Sequence, residues 1–340
     1  MVSSLSRSAQ GERSSGHEQE VDRPDIKFRP VRNGMDYLLS AVTHLTEGKQ
    51  PPSDRDLKYA VLHLHAATEV LLKARLVREH WSLVISDVRK ATEKKFHEGD
   101  FSSVTVEATI ERLRDIVGLD IGQANRTAIT NLTRTRNAFT HYGHTATAYA
   151  VETQITLVLG FLLDFIPTHL YDPRSTSQFG AEYMDTMERI RERLGRIDSL
   201  VKARMCNVNA TLKDIADRTV LCPHCRQYAV AIPEEKDHAE DQALEPELRC
   251  LFCTAQWPPY ELARLYVLEV IGTDDGQLQP CGCSEYGPWA EQPSVVLGAS
   301  TAAEPDAIMG LCFRCGARYY RKPSKVTAWS ESEDSATRGL

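Results

Sequence analysis

The sequence predicts a mainly α protein: a five-helix bundle over about residues 31–170, a linking helix over about 181–205, and a C-terminal α+β region of zinc-ribbon type over about 212–323. Three observations predict it. From Val31 to Leu170 apolar residues recur three and four apart, with few breakers and no strand alternation. A highly charged helix with a heptad seam follows. From about Leu212 the texture changes to short strand-like runs, Gly, Pro and every cysteine except Cys206.

Taken in order, Asn33–Glu47 reads as a first helix, closed by Gly48 and then Pro51-Pro52. Ser53 or Asp54 can cap a second, Asp56–Trp81, whose apolar stripe is Ala60, Leu64, Ala67, Leu71 and Ala74. Shorter Val106–Ile116 follows, then Ile121–Tyr142 ending at Gly143, then Tyr149–His169 ending near Asp172-Pro173. Short connections between such helices make a bundle. In the linking helix, Ala181–Met205, residues Tyr183, Met187, Ile190, Leu194, Ile197 and Val201 alternate four and three apart. This seam suits either a coiled coil or a surface helix packed on its own bundle. Residues 1–25 read as a disordered tail and 324–340 as a loose one.

Composition narrows the classes. At 42% hydrophobic and 26% charged, the 340-residue chain is too apolar to be disordered throughout. A net charge of -7 excludes a uniformly basic nucleic-acid coat. Residues 1–150 hold 21 Lys+Arg against 19 Asp+Glu (+2), and residues 151–300 hold 13 against 23 (-10), so a nucleic-acid surface is expected as a patch in the first half. The most apolar run, Ile155–Ile166, carries Asp164 and is too short for a bilayer span. No secretory signal opens the chain, so a cytoplasmic protein without membrane contact is expected, its cysteines serving as ligands or free thiols.

Cys222-Pro-His-Cys225 and Cys250-Leu-Phe-Cys253 are two C-x-x-C pairs, and two such turns supply four tetrahedral thiolates to a structural zinc. Tyr228–Ile232 and Ala255–Trp257 suit the flanking strands. His224, between two ligands, points away. Cys281-Gly-Cys283 and Cys312-Phe-Arg-Cys315 form a second set, whose first half is one residue short. Adjacent pairing of the half-sites is simplest, and interleaving stays open. Cys206 is left over as a buried thiol. The acidic loop Glu234–Glu247 opposes phosphate binding there. The basic run Arg314, Arg318, Arg321, Lys322 and Lys325, with Tyr319 and Tyr320, is the better nucleic-acid candidate in this region.

The sharpest chemical signal is Leu132-Thr-Arg134-Thr-Arg136-Asn137-Ala-Phe139-Thr-His141-Tyr142-Gly143. Asn137 and His141 are four apart and share a helix face. Arg136 and His141 are five apart and diverge by about 140° on an ideal helix. They meet on one point only if the last turn loosens or two copies come together. With no chemistry at all, such residues also suit a helix C-terminus.

This segment resembles the Arg-x4–6-His signature of the HEPN superfamily, with Asn137 directly after the arginine. The helix around Ala60–Arg78 is similar to the family's second helix, which places an acidic residue, here Glu69, before Leu-Leu-Lys. The resemblance covers about residues 31–170 and not the cysteine region. It implies a metal-independent endoribonuclease, a toxin or antiviral-defence effector, acting on RNA as a homodimer, with a regulatory protein or antitoxin as a further partner. In the roles it implies, His141 moves the proton of the ribose 2′-OH or of the leaving oxygen. Arg136 holds the phosphate, Asn137 holds phosphate or imidazole, and Glu69 is neutralised by Arg136 or Arg134. His65 and His144 are nearby alternatives. The tyrosine that nucleotidylation modifies in some family toxins lies two residues after the histidine; Gly143 stands there, and Tyr142 precedes it. The alternative function is a non-catalytic dimeric module that binds nucleic acid or a partner protein through its zinc ribbons.

Overall fold

The computed structural model describes residues 26–331. Residues 27, 49, 144, 172–177, 235–246, 273–276, 285–291 and 322–328 are excepted. The expected 1–25 tail and most of the acidic loop therefore lie outside the described residues. The chain is mainly helical, with small sheets confined to its C-terminal part.

Helices α1 (Pro30–Thr46) and α2 (Asp54–Glu79) form an antiparallel pair. A capping box starts α2: the Ser53 hydroxyl accepts from the Asp56 N–H, and the Asp56 carboxylate accepts from the Ser53 N–H. The stripe Ala60, Leu64, Ala67, Leu71 and Ala74 is buried as the spacing predicts. Each leucine so buried contributes about 1.5–3 kcal/mol. Gly34 of α1 brings the two helices close, since a Cβ there would sit 2.5 Å from Leu71 Cγ. Two 3₁₀ turns and a short α3 (Glu93–Glu98) precede α4 (Val106–Asp115). Helices α5 (Gln123–His141) and α6 (Ala148–His169) then close the bundle, tied by a 2.7 Å hydrogen bond from the Thr135 hydroxyl to Gln154 Oε1. Among the described residues α6 alone is long and apolar enough to cross a membrane. Here Val151, Ile155, Val158, Leu159, Leu162, Leu163 and Ile166 are buried in the core, and Asp164 pairs with Arg204 at 2.9 Å.

The single linking helix expected over 181–205 is two: α7 (Gln178–Leu194) and α8 (Asp198–Leu212). At the break the chain passes close to the C-terminal region. Gly195 lies against the first cysteine turn, where a Cβ would come within 2.2 Å of the Cys225 carbonyl oxygen. The heptad seam is also used internally rather than in a coiled coil: Tyr183, Met187, Ile190, Leu194 and Ile197 are buried in the chain's own core. Gly195→Ala is therefore expected to destabilise by about 1–3 kcal/mol. Thermal unfolding would register this as a Tm lower by about 2–4 °C per kcal/mol. An unchanged Tm would show that the contact has slack.

Strands β1 (Thr219–Leu221) and β2 (Tyr228–Ala231) make one antiparallel hairpin, and β3 (Leu248–Arg249) and β4 (Gln256–Trp257) another. A bridge between Val230 and Cys250 joins them. Helix α9 (Pro259–Tyr266) leads to a five-stranded antiparallel sheet of β5 (Leu278–Gln279), β6 (Val295–Ala299), β7 (Met309–Cys312), β8 (Arg318–Arg321) and β9 (Trp329–Glu331), in that order. Strand β9 corrects the expectation of a wholly loose tail over 324–340, because its backbone continues the ladder beside β8. The change of texture at residue 212 is not a break in packing. One hydrophobic core runs from Met35 through α7 and α8 to Phe313.

Candidate functional site

Eight of the nine cysteines resolve into two groups, Cys222, Cys225, Cys250, Cys253 and Cys281, Cys283, Cys312, Cys315, with the sulfurs of each group within 4.8 Å of one another. The half-sites pair adjacently, not interleaved. Cys222–Cys253 and Cys225–Cys250 sulfurs are both 3.7 Å apart; Cys281–Cys315 and Cys283–Cys312 are 3.6 and 3.8 Å apart. A metal–sulfur distance of about 2.3 Å places the corners of a regular tetrahedron about 3.8 Å apart, so both groups fit a four-sulfur metal site.

The backbone builds these sites by one repeated turn. In each C-x-x-C pair the residue after the second cysteine returns its N–H to the carbonyl of the first: Arg226 to Cys222, Thr254 to Cys250, Gly316 to Cys312. All three residues have positive φ, at 59°, 63° and 76°. Holding Arg226 and Thr254 there costs about 1–2 kcal/mol each, a strain consistent with a demand from the turn itself. Four thiols packed out of water cannot all ionise unaided. Burial pushes Cys222 and Cys250 far up, while Cys253, despite its burial, is held well below the usual range by sulfur hydrogen bonds from the other three. A bound cation removes that conflict. His224 is no ligand; it stacks on Trp257 at 5.2 Å. Cys206 is exposed rather than buried: α8 turns Leu200, Val208 and Leu212 inward, and Cys206 lies off that face.

Two members of the basic run are described, and the side chain of Arg321 lies outside the described residues. Arg314 is buried, and Arg318 pairs with Asp217 at 2.5 Å. Lys322 and Lys325 lie outside the described residues.

The helical site is exposed. Helix α5 stays regular to its end, with the Tyr142 N–H still bonded to the Ala138 carbonyl at 3.3 Å. The last turn therefore does not loosen, and Arg136 and His141 point apart within one chain. Arg136 is half-buried and donates from Nη1 to Asn137 Oδ1 at 2.8 Å; Asn137 and His141 face solvent. Asn137 thus links the guanidinium to the face that carries the imidazole. Glu69 is not neutralised by Arg136 or Arg134. Its partner is Lys73, four residues on, at 2.6 Å, and the carboxylate side chain stays 31% exposed. Among the described residues neither Arg134 nor Arg136 forms an ion pair. Grooves of 320 and 460 Å³ lie elsewhere, around Pro51–Pro52 and around Phe161–Phe165. His144 lies outside the described residues.

A further signal was readable in the sequence and is absent from the motif. No Asp or Glu occurs between Asp120 and Glu152, in a chain with 47 acidic residues in 340. On the surface this stretch shows Arg134, Asn137, Thr140, His141, Tyr142 and Tyr149. The two tyrosines are 83% and 79% exposed. Beneath it lies His65 of α2, only 4% exposed, with neither ring nitrogen hydrogen-bonded. Burial, then Arg136, holds its imidazole below the usual range; Lys73 acts the same way, and Glu69 and Glu107 oppose. The unfolded chain therefore binds the proton first. His65 leaves stability untouched above about pH 6.5 and lowers it as pH falls through the folded value. His65→Leu is expected to flatten the loss of stability between about pH 7.5 and 5.5 in urea titrations. An equal loss in both proteins would clear His65 of this role.

The fold and its sites define a mainly helical protein with two four-cysteine groups that could hold metal ions and an Arg-Asn-His segment at the end of α5. Compared with protein families, curated proteins and solved structures, the chain matches none.

Proposed function

We propose that this chain is a HEPN-type endoribonuclease that works as a homodimer, with zinc held structurally in both four-cysteine groups. The observation that carries the reading is the run of chain from Ile121 to Val151, which holds His141 and no carboxylate side chain. Among the described residues Arg134 and Arg136 form no ion pair, and Tyr142 and Tyr149 are exposed, which suits a phosphate backbone with stacked bases. An imidazole takes the proton of a ribose 2′-OH, and the freed oxygen attacks the adjacent phosphorus. The bond to the 5′-oxygen breaks, and that oxygen leaves with a proton from a second imidazole. Arg136 meets the charge gathering on the phosphate, and Asn137 orients it. A twin protomer supplies the second imidazole and brings an arginine opposite a histidine, which one regular helix does not do. The cysteine groups present closed sets of four ligands, suited to holding structure.

The same divergence of Arg136 and His141 favours a second reading, a dimeric module that binds nucleic acid or a partner protein without turnover. One assay separates the two. Purified protein with EDTA added briefly is expected to cut RNA, leaving 2′,3′-cyclic phosphate and 5′-hydroxyl ends. Tight, salt-dependent RNA binding with no product would support the second reading and end the first.

A further inference from the structure

The two four-cysteine groups share a donor set and differ in almost everything around it. In the first, all four cysteines are buried and belong to the same core as the helical bundle. Helix α7 is bolted onto it. Arg191, itself buried, donates to the Cys253 and Thr254 carbonyls at 3.3 and 3.5 Å, and Gly195 sits against the Cys225 carbonyl. The Leu163 carbonyl of α6 accepts from the Thr254 hydroxyl at 3.4 Å. Opening this site means separating α6 and α7 from the C-terminal region.

The second group sits in its own small cluster with Val295, Leu297 and Ala317. Three of its sulfurs are buried and Cys283 is exposed. Its C-x-C half is one residue shorter than the C-x-x-C pairs, and Gly282–Ser284 form a 3₁₀ turn. Two of its buried sulfurs have hydroxyl neighbours: Tyr319 Oη donates to Cys281 at 3.2 Å, and Ser294 Oγ lies 3.3 Å from Cys312. Among the described residues no hydroxyl is bonded to Cys283, whose sulfur lies 3.8 Å from Cys312 Sγ. A metal-bound thiolate that meets solvent is the one an oxidant reaches first.

We infer that Cys283 is an oxidation site, through which peroxide-class oxidants empty the second metal site while the first stays locked beneath α7. The Cys283 thiolate attacks one peroxide oxygen, the O–O bond breaks, and hydroxide leaves and is protonated to water. The resulting sulfenic acid is attacked by the Cys312 thiolate, whose sulfur displaces the second oxygen, also as water after protonation. Two thiolates lose two electrons to form one disulfide, one peroxide is reduced, two protons are consumed, and the dication departs.

The test uses the full chain loaded with zinc and treated with increasing hydrogen peroxide. A chromophoric chelator follows released metal, circular dichroism follows helix, and non-reducing peptide maps locate the bond. The expected result is two phases: about half the metal leaves first, with a Cys283–Cys312 link and an unchanged helical signal, and the rest leaves later as helix is lost. Cys283→Ser, read the same way, should remove the early phase and leave the late one. Release of both metals together would overturn the inference. So would early modification of Cys222, Cys225, Cys250 or Cys253, or a purified chain that binds zinc at neither group.

Discussion

Replacing His141 by alanine is expected to slow RNA cleavage by about 10²–10⁴-fold, the contribution of one positioned proton-transfer group. The loss should fall on kcat, because the ring acts where charge moves and binds the ground state weakly. On the proposed mechanism Arg136→Ala removes the donor to the phosphate and is expected to cost about 10²–10³-fold. Arg136→Lys should recover only part, since a point charge does not reproduce the forked guanidinium or its bond to Asn137. His141 is exposed and Arg136 half-buried, so the helical signal of both variants should match the parent. That control separates lost chemistry from lost fold. Parental rates in both variants would end the nuclease reading. Mixing His141→Ala with Arg136→Ala protomers offers a sharper check. If the shared site needs an imidazole from each subunit, the mixed dimer, left with one, stays as slow as the His141→Ala homodimer; recovered activity would mean that one imidazole suffices.

Breaking the first cysteine group is expected to take the whole fold with it. Cys250 is fully buried, and its group joins α6 and α7 to the C-terminal hairpins. Structural zinc in small domains is worth about 10–16 kcal/mol apparent. Domains as a whole retain about 5–15 kcal/mol of net stability. Cys250→Ser should therefore yield a chain that loses helix well below the parental Tm or fails to stay soluble. His224→Ala, which removes only a ring stacked on Trp257, should lower Tm modestly. Circular dichroism and metal content decide it: a Cys250→Ser protein with parental helix and Tm would mean the hairpins are joined to the bundle by packing alone.

How much of this was legible beforehand differs between elements. The α2 stripe at Ala60, Leu64, Ala67 and Leu71 was readable because burial on a helix repeats at three and four residues. The break after Leu194 was not, because glycine reports a tolerated contact without naming its partner, and the partner is the Cys225 carbonyl, far along the chain. The heptad seam was seen, but whether it faced a twin or its own bundle depends on where α1 and the hairpins lie. Glu69 was paired with the wrong cation because Lys73, one turn away, competes locally with arginines on another helix. Arg314 and Arg318 read as a basic surface, since charge in a sequence does not disclose that one is buried and the other meets Asp217.

Local, periodic information thus determined the helices of the bundle, the cysteine half-sites and the Arg136–Asn137–His141 segment, because such patterns are set by neighbours within one or two turns. Tertiary packing decided which half-sites share a cavity, which side of each helix meets water, and that the first cysteine group is part of the bundle's core while the second is not. Those outcomes depend on contacts between residues distant in the chain, whose energies enter only once loops have closed and surfaces have met.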